Sequence, residues 1–365
     1  MRRTPALILG GGPAGAAAAI RLAVGGVRPL VLERSQETGD ALCGGFLSWR
    51  TLQTLAQLGV DADALNLQPV TRVRLFAGAR VAESGLPSAA RGVSRRRLDA
   101  LLLARAEAAG ADIERGVAVR SLADGVAQLA DGSAIAGDAL LLATGKHDLR
   151  GVARPAIARG VDPTLGLRVR LDASQALTRL IGDSIELHLF DRGYAGLVLQ
   201  EDGSANLCMA VHRSRLAESG DPAALLLALA RECPPLGDRL AHMAPGATID
   251  AIANVPYGWR ARSTAPGLYR LGDQAGVIPS LAGEGMGIAI ASGIRAADAV
   301  LGGTDSQAYQ ARLATDLARP IGLAALIWRL AEGSRTAGPL VMIAQAVPKS
   351  VETAARLTRI GALGR

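Results

Sequence analysis

One short stretch constrains this chain more than any other. Ala6-Leu7-Ile8-Leu9 is an apolar run typical of a buried strand, and Gly10-Gly11-Gly12-Pro13-Ala14-Gly15 follows it with the pattern Gly-x-Gly-x-x-Gly. An Ala-rich helix is expected from Pro13 to Leu22, and Pro29-Leu30-Val31-Leu32-Glu33 reads as a second buried strand. The chain therefore opens as a strand–helix–strand unit, the start of a parallel sheet. With 44 glycines in the sequence the pattern alone is weak, and its place between strand and helix gives it force. Gly10 permits the tight turn, and Gly12 lets backbone N–H groups approach a pyrophosphate at the helix start formed by Pro13 and Ala14. Gly15 allows close helix–strand packing, and Glu33 can bind ribose hydroxyls. A bound dinucleotide is expected here.

The remaining composition bounds the rest of the reading. A chain of 365 residues holds two domains or one elaborate one, with enough length to bury a core without disulfides or metal. Charged residues at 20% and apolar residues at 49% exclude a disordered chain. The net charge of +7 is diffuse, and Arg95-Arg96-Arg97 is the only basic triplet, without interleaved aromatics, so no nucleic-acid partner is expected. Cys43, Cys208 and Cys233 are irregularly spaced and the four histidines scattered, so neither a disulfide framework nor a metal site is expected. The first strand begins too early to leave room for a signal peptide, and no window offers a membrane span. A reducing cytoplasm is the expected location.

Further along, strands are expected at 69–77, 79–85, 111–121, 125–130 and 139–143, with a Ser94-capped helix over 95–109. From 163 to 254 the pattern is mostly strands (163–172, 184–190, 193–199, 205–211, 247–254), interrupted by a helical stretch near 222–243. Gly267 to Leu271 returns as a short strand, Gly283 to Leu301 is helical, and the tail reads as three or four helices broken by Pro320, Pro339 and Pro348.

A second motif says which dinucleotide. Leu271-Gly272-Asp273-Gln274-Ala275-Gly276 and then Gly283-Glu284-Gly285-Met286-Gly287 resemble the second flavin-binding motif of FAD-dependent oxidoreductases with the glutathione-reductase-like fold. That resemblance implies that Asp273 binds FAD hydroxyls and that the following helix aims its N-terminus at the flavin's pyrimidine carbonyls. Within that group the chain resembles the geranylgeranyl reductases and the related aromatic-hydroxylase-like flavoproteins. Glu33-Arg34 followed by Cys43-Gly44-Gly45 is similar to the reductases' Cys-Gly-Gly segment. Arg95 with Leu98-Asp99 and Leu102 is similar to the family helix whose Arg reaches FAD, and Ala143-Thr144-Gly145 to a flavoprotein strand end.

The resemblance implies an α/β fold: a glutathione-reductase-like, Rossmann-type FAD domain (1–68, 88–150, 265–303), a mostly antiparallel substrate domain (69–87, 151–264) and a helical C-terminal segment (304–365). The departures are equally informative. The hydroxylases' Gly-Ala-Asp-Gly element is replaced by Ala143 to Arg150, and no second dinucleotide unit exists, so reduction is expected from transiently docked NAD(P)H or a separate reductase partner. Of the reductases' Tyr-x-Trp-x-Phe-Pro strand only Tyr194 remains, and the halogenases' Gly-Trp-x-Trp-x-Ile-Pro is absent, since Gly258-Trp259-Arg260 does not continue it.

The expected reaction is flavin oxidoreduction on a small apolar or aromatic substrate, phenol- or polyketide-like as in secondary metabolism, by a monooxygenase using a C4a-hydroperoxide. The alternatives are a geranylgeranyl-reductase-type saturation of a C=C bond, with Cys43 or Tyr194 giving the proton, and a flavin-binding module without turnover. Cys43 is equally well read as a small buried residue. Lys146, one of two lysines among 40 basic residues, is a candidate for a role arginine cannot fill, against the simpler reading of a solvated turn. Seven of the ten aromatics (Phe46, Trp49, Phe190, Tyr194, Tyr257, Trp259, Tyr269) are expected to face the flavin or the substrate, with ordinary core filling as the competing reading. The last 62 residues carry 8 basic against 4 acidic groups, which leaves packing favoured over contact with a membrane surface.

Overall fold

The computed structural model describes residues 1–361. Two sheets organise them. In the first, the strand Arg2–Leu9 lies between Pro29–Glu33 and Ala134–Leu142, parallel to both, so that Leu9 is level with Leu32 and Leu142. Asp112–Arg115 extends one edge in parallel, Val126–Leu129 and Val119–Ala123 extend the other as an antiparallel ribbon, and Leu268–Arg270 joins Ala134–Leu142. The central strand is buried on both faces, as its unbroken Ala6 to Leu9 run requires.

Two helices close one face of this sheet. Pro13–Val24 carries Ala16 to Ala19 fully buried, and the helix Gly285–Leu301 crosses it at backbone distance. A Cβ added at Gly293 would fall 2.2 Å from the Ala14 carbonyl oxygen, so the small residues of both helices are what brings them together. The helix Arg95–Ala109 starts at Ser94, whose hydroxyl accepts from Arg97 N at 3.1 Å, and ends at left-handed Gly110.

The second sheet has eight strands in the order 250–255, 164–171, 205–212, 193–199, 184–190, 69–77, 80–92 and 46–47. All neighbours are antiparallel except Ser184–Phe190 beside Pro69–Ala77. Along Ser184–Phe190, Glu186, His188 and Phe190 face one side, while Ile185 and Leu187 line the central cavity on the other.

Several expectations need correction. The strand expected at 79–85 runs on to Gly92, unbroken through residue 88. The strand expected over 111–121 is two, Asp112–Arg115 and Val119–Ala123, separated at Gly116, whose φ is +74°. The helical stretch near 222–243 divides into Pro222–Glu232 and Pro234–Leu240, because Pro234 drives Cys233 out of helical geometry (φ −128°, ψ 80°). Short helices Gln175–Ile181 and Arg213–Ser219 lie in connections that the sequence reading left unassigned. The tail is four helices as expected, Ser306–Asp316, Ala318–Ala331, Ala337–Ala346 and Lys349–Leu357, and only the place of Pro320 and Pro339 differs, just past the breaks rather than within them. Both prolines sit in the first turns of Ala318–Ala331 and Ala337–Ala346, where the missing N–H has no partner to lose.

Candidate functional site

The first strand delivers the chain to the turn at Gly10, whose φ is +111° and whose hypothetical Cβ would meet the Ala143 carbonyl oxygen at 2.6 Å. Only glycine fits that position. Gly12 precedes the helix and Pro13 starts it, leaving unpaired N–H groups at a positively polarised end. Glu33 holds this loop in place, since its carboxylate accepts from Gly11 N at 2.8 Å and from Ser35 N at 2.9 Å. Arg95 arches over the loop, with Nη2 only 3.3 Å from where a Gly12 Cβ would sit, and is held by Asp99 through Nε at 2.8 Å.

The opposite wall begins where Ala143 leaves its strand. Gly145 has φ +61°, and Gln274 Nε2 donates to the Gly145 and His147 carbonyl oxygens, both at 2.9 Å. Lys146 Nζ lies 3.3 Å from the Asp273 carboxylate, which raises the ammonium pKa. Arg34 Nη2 meets His147 Nε2 at 3.0 Å, and burial, with Arg34 adding to it, depresses the imidazole so that it is neutral and accepts. Gly283 (φ +62°) and Gly285 bring the second helix N-terminus to the same space, and a Cβ at Gly283 would strike Phe46 at 2.9 Å.

These walls enclose one cavity of ≈ 950 Å³, which continues past Cys43 into a chamber under the second sheet. There the lining is apolar, with Ile185, Leu187, Ile252 and Val255, and no charged side chain comes from the second sheet. Its hydroxyls converge. Tyr194 donates to Ser280 Oγ, and the Tyr257 hydroxyl lies 2.5 Å from the same oxygen. Burial holds the Tyr194 phenol well above its ordinary pKa and pushes Tyr257 up to about 12, so both are protonated donors at neutral pH. Cys43 and Cys208 also line the cavity. The Cys43 carbonyl accepts from Asn206 Nδ2 at 2.8 Å, and burial pushes the Cys208 thiol up to about 12.

The cavity gathers nearly all of the residues the sequence singled out. Gly10, Gly12, Pro13, Ala14, Glu33, Arg34, Cys43, Gly44, Arg95, Ala143, Thr144, Gly145, Lys146, Tyr194, Gly272, Asp273, Gly283, Gly285 and Met286 all line it. Gly15 does not. It is a packing residue, since its Cβ would fall 1.9 Å from the Gly10 carbonyl oxygen beneath the loop. Of the seven aromatics expected at the site, Phe46, Tyr194 and Tyr257 line it. Phe190 packs in the core on the far side of the sheet, Trp49 lies under Arg359, Trp259 under Arg154, and Tyr269 against Tyr309. Sequence reasoning missed Ser280, which carries no motif, and the Asp40 clamp. Asp40 pairs with Arg168 Nη1 at 2.9 Å and with Arg170, tying the Cys43 loop to the second sheet.

The residues fit FAD. The helix of 12 residues behind Gly12 and the helix of 17 residues at Gly285 both point an N-terminus into one elongated groove, whose lining includes Gly10 and Gly283. One end suits a pyrophosphate and the other an electron-rich ring edge, with Glu33 and Asp273 as hydroxyl acceptors between and beyond them.

Comparison with known proteins agrees. Residues 3–146 match a family described as FAD binding domain. A stretch of 124 residues is 35% identical to the chloroplastic geranylgeranyl diphosphate reductase of Oryza sativa subsp. japonica, spanning 33% of this chain and 26% of that protein. Among solved structures, the flavin-dependent brominase Bmp2 superposes with a TM-score of 0.76 at 16% identity, over 98% of this chain and 93% of that one. PqsL of P. aeruginosa, solved in complex with 2-aminobenzoylacetate, gives 0.73 at 16% identity over 92% and 98%. A geranylgeranyl bacteriochlorophyll reductase-like protein of Thermoplasma acidophilum gives 0.70 at 19% identity over 98% and 100%. These structural likenesses establish the fold. Residues 3–146 are thus similar to an FAD-binding domain, and the chain spans about a quarter of the length of the rice reductase that it matches.

Proposed function

We propose that this flavoprotein is a monooxygenase acting on a small, uncharged aromatic or apolar substrate that carries one hydrogen-bonding oxygen. The observation that carries the reading is the single cavity, in which a dinucleotide groove opens directly into an apolar chamber whose hydroxyls meet at Ser280. FAD, when bound, supplies two-electron redox chemistry and, once reduced, reactivity toward dioxygen. The chain's own residues do the rest. Ile185, Leu187 and Ile252 exclude water from the chamber, and with Tyr194 donating to Ser280 Oγ the hydroxyl cluster leaves one O–H, on Ser280 or Tyr257, for a substrate oxygen. Lys146 holds a fixed positive charge at the junction of groove and chamber, balanced by Asp273. Electrons are supplied by transiently docked NAD(P)H or by a separate reductase.

The second reading, saturation of a C=C bond, draws support from the segment shared with the rice reductase and from Cys43 on the cavity wall, where a thiol can give a proton. Mixing anaerobically reduced protein with oxygenated buffer separates the two. A monooxygenase shows a transient absorbing species before the oxidised spectrum returns. Direct return, unaffected by neutral phenols, would overturn the first reading. Replacement of Cys43 by Ala, with FAD retained, is expected to leave oxygenation intact and would abolish olefin reduction.

A further inference from the structure

The flavin helix Gly285–Leu301 begins at Glu284, yet that side chain caps nothing on its own helix. It turns into a sealed site behind the cavity wall, where the residue is 1% exposed. Its partners come from two distant parts of the chain. Ser48, the N-cap of the helix Trp49–Gln57 that follows the Cys43 loop, places Oγ 3.2 Å from Glu284 Oε2. Ile360 N donates to Oε1 at 3.3 Å, and Arg359 brings Nε within 3.3 Å of Oε2. The Arg359 guanidinium also donates through Nη1 to the Ala282 carbonyl oxygen at 2.5 Å and stacks over Trp49 at 5.1 Å.

The arrangement is built rather than incidental. Gly287 leaves room for the carboxylate, since a Cβ there would fall 2.6 Å from Glu284 Oε1 and 2.8 Å from Thr51 Oγ1. The segment that delivers Arg359 is anchored on both sides. Arg50 Nη1 donates to the Ile360 carbonyl at 3.4 Å, and Arg295 Nη2 to that of Gly361 at 3.3 Å. Upstream, the helix Lys349–Leu357 packs on the strand Arg80–Gly92 of the second sheet. The C-terminal segment thus links the second sheet to the turn Gly283–Gly285.

We propose that Arg359 is a positioning residue for the flavin: through the buried carboxylate of Glu284, the C-terminal strap sets the Gly283–Gly285 turn against the isoalloxazine ring. The same clasp fixes Ser48 and hence the exit of the Cys43 loop, so one ion pair orders both sides of the ring site. This holds whether the flavin oxygenates or reduces. Because both groups are buried, losing one leaves the other uncompensated, whereas losing both together leaves neutral, packable groups.

The test is the equilibrium dissociation of FAD and the visible circular dichroism of bound flavin, read alongside thermal stability. Arg359→Met is expected to weaken FAD binding at least tenfold and to alter the flavin dichroism. The double variant Glu284→Gln/Arg359→Met is expected to recover most of both, and Arg356→Ala, an exposed residue of the same tail, to change neither. If the single variant fails to fold, Arg359→Lys carries the same readouts with the charge kept, and weaker binding with altered dichroism is again expected. FAD affinity and dichroism unchanged in the folded 359 variants, with or without loss of thermal stability, or no recovery in the double variant, would overturn the proposal.

Discussion

The groove and the chamber share one cavity but are built by opposite means. The groove is made of backbone: a positive-φ turn at Gly10, two helix N-termini and a carboxylate that holds the loop through Gly11 N and Ser35 N. The chamber is made of side chains from strands far apart in sequence, with three hydroxyls meeting at Ser280. At Gly10, and at Gly15 beneath it, a Cβ strikes main chain that cannot move, so these two positions admit no side chain. A side-chain site can change its substrate by exchanging a ring or a hydroxyl without disturbing the fold.

That contrast sets the expected order of effects. Gly15→Ala should be the most damaging, since its Cβ would fall 1.9 Å from the Gly10 carbonyl oxygen. A loss of about 3 kcal/mol in stability is expected together with loss of bound FAD, measurable by denaturant unfolding and flavin content. A variant that kept both would break the claim that the groove is set by backbone packing. Tyr194→Phe should leave FAD binding intact while lowering turnover of a hydroxylated substrate by about tenfold, the usual worth of a lost hydrogen bond in a buried site. Equal loss of FAD affinity would merge the two regions rather than separate them.

The groove was legible because its chemistry needs particular residues at fixed spacing. Gly10 and Gly12 could be named from their place between strand and helix, Asp273 and Gly283 from the resemblance to a second flavin-binding motif, and the Ser94 cap fell where its pattern put it. The chamber was legible only through Tyr194, Tyr257 and Cys43. Ser280 carries no local signal, and it matters only because two strands and a turn bring Tyr194 and Tyr257 to one oxygen. Counting aromatics misled for the same reason, since Phe190 and Tyr194 lie on neighbouring strands yet only Tyr194 faces the cavity. The Glu284–Arg359 pair was invisible because its partners are separated by most of the tail.

Two smaller effects sharpen the comparison from outside it. His212 stacks on Trp328, which meets the edge of Tyr257, and the His212 ring is raised in pKa by its hydrogen bond to Glu332 at 2.9 Å. A raised folded-state pKa gives stability that is complete below about 6.5 and lost as pH rises through the folded value. Thermal unfolding of His212→Gln should therefore depend less on pH across that window, and an unchanged profile would remove the ion pair from the account. At the small end, Arg28→Ala breaks only an exposed pair with Asp112 and should shift the melting temperature barely at all.

The most direct measurement is a titration of the FAD-loaded protein with a neutral hydroxyaromatic and with its carboxylated analogue, following the flavin absorbance. If groove and chamber are one cavity with an uncharged far wall, the neutral ligand perturbs the flavin spectrum and the anion binds at least tenfold more weakly. Preference for the neutral ligand should be eroded in Ser280→Ala, whose hydroxyl is the meeting point. Equal affinity for the anion, or no spectral response to either ligand, would contradict the account.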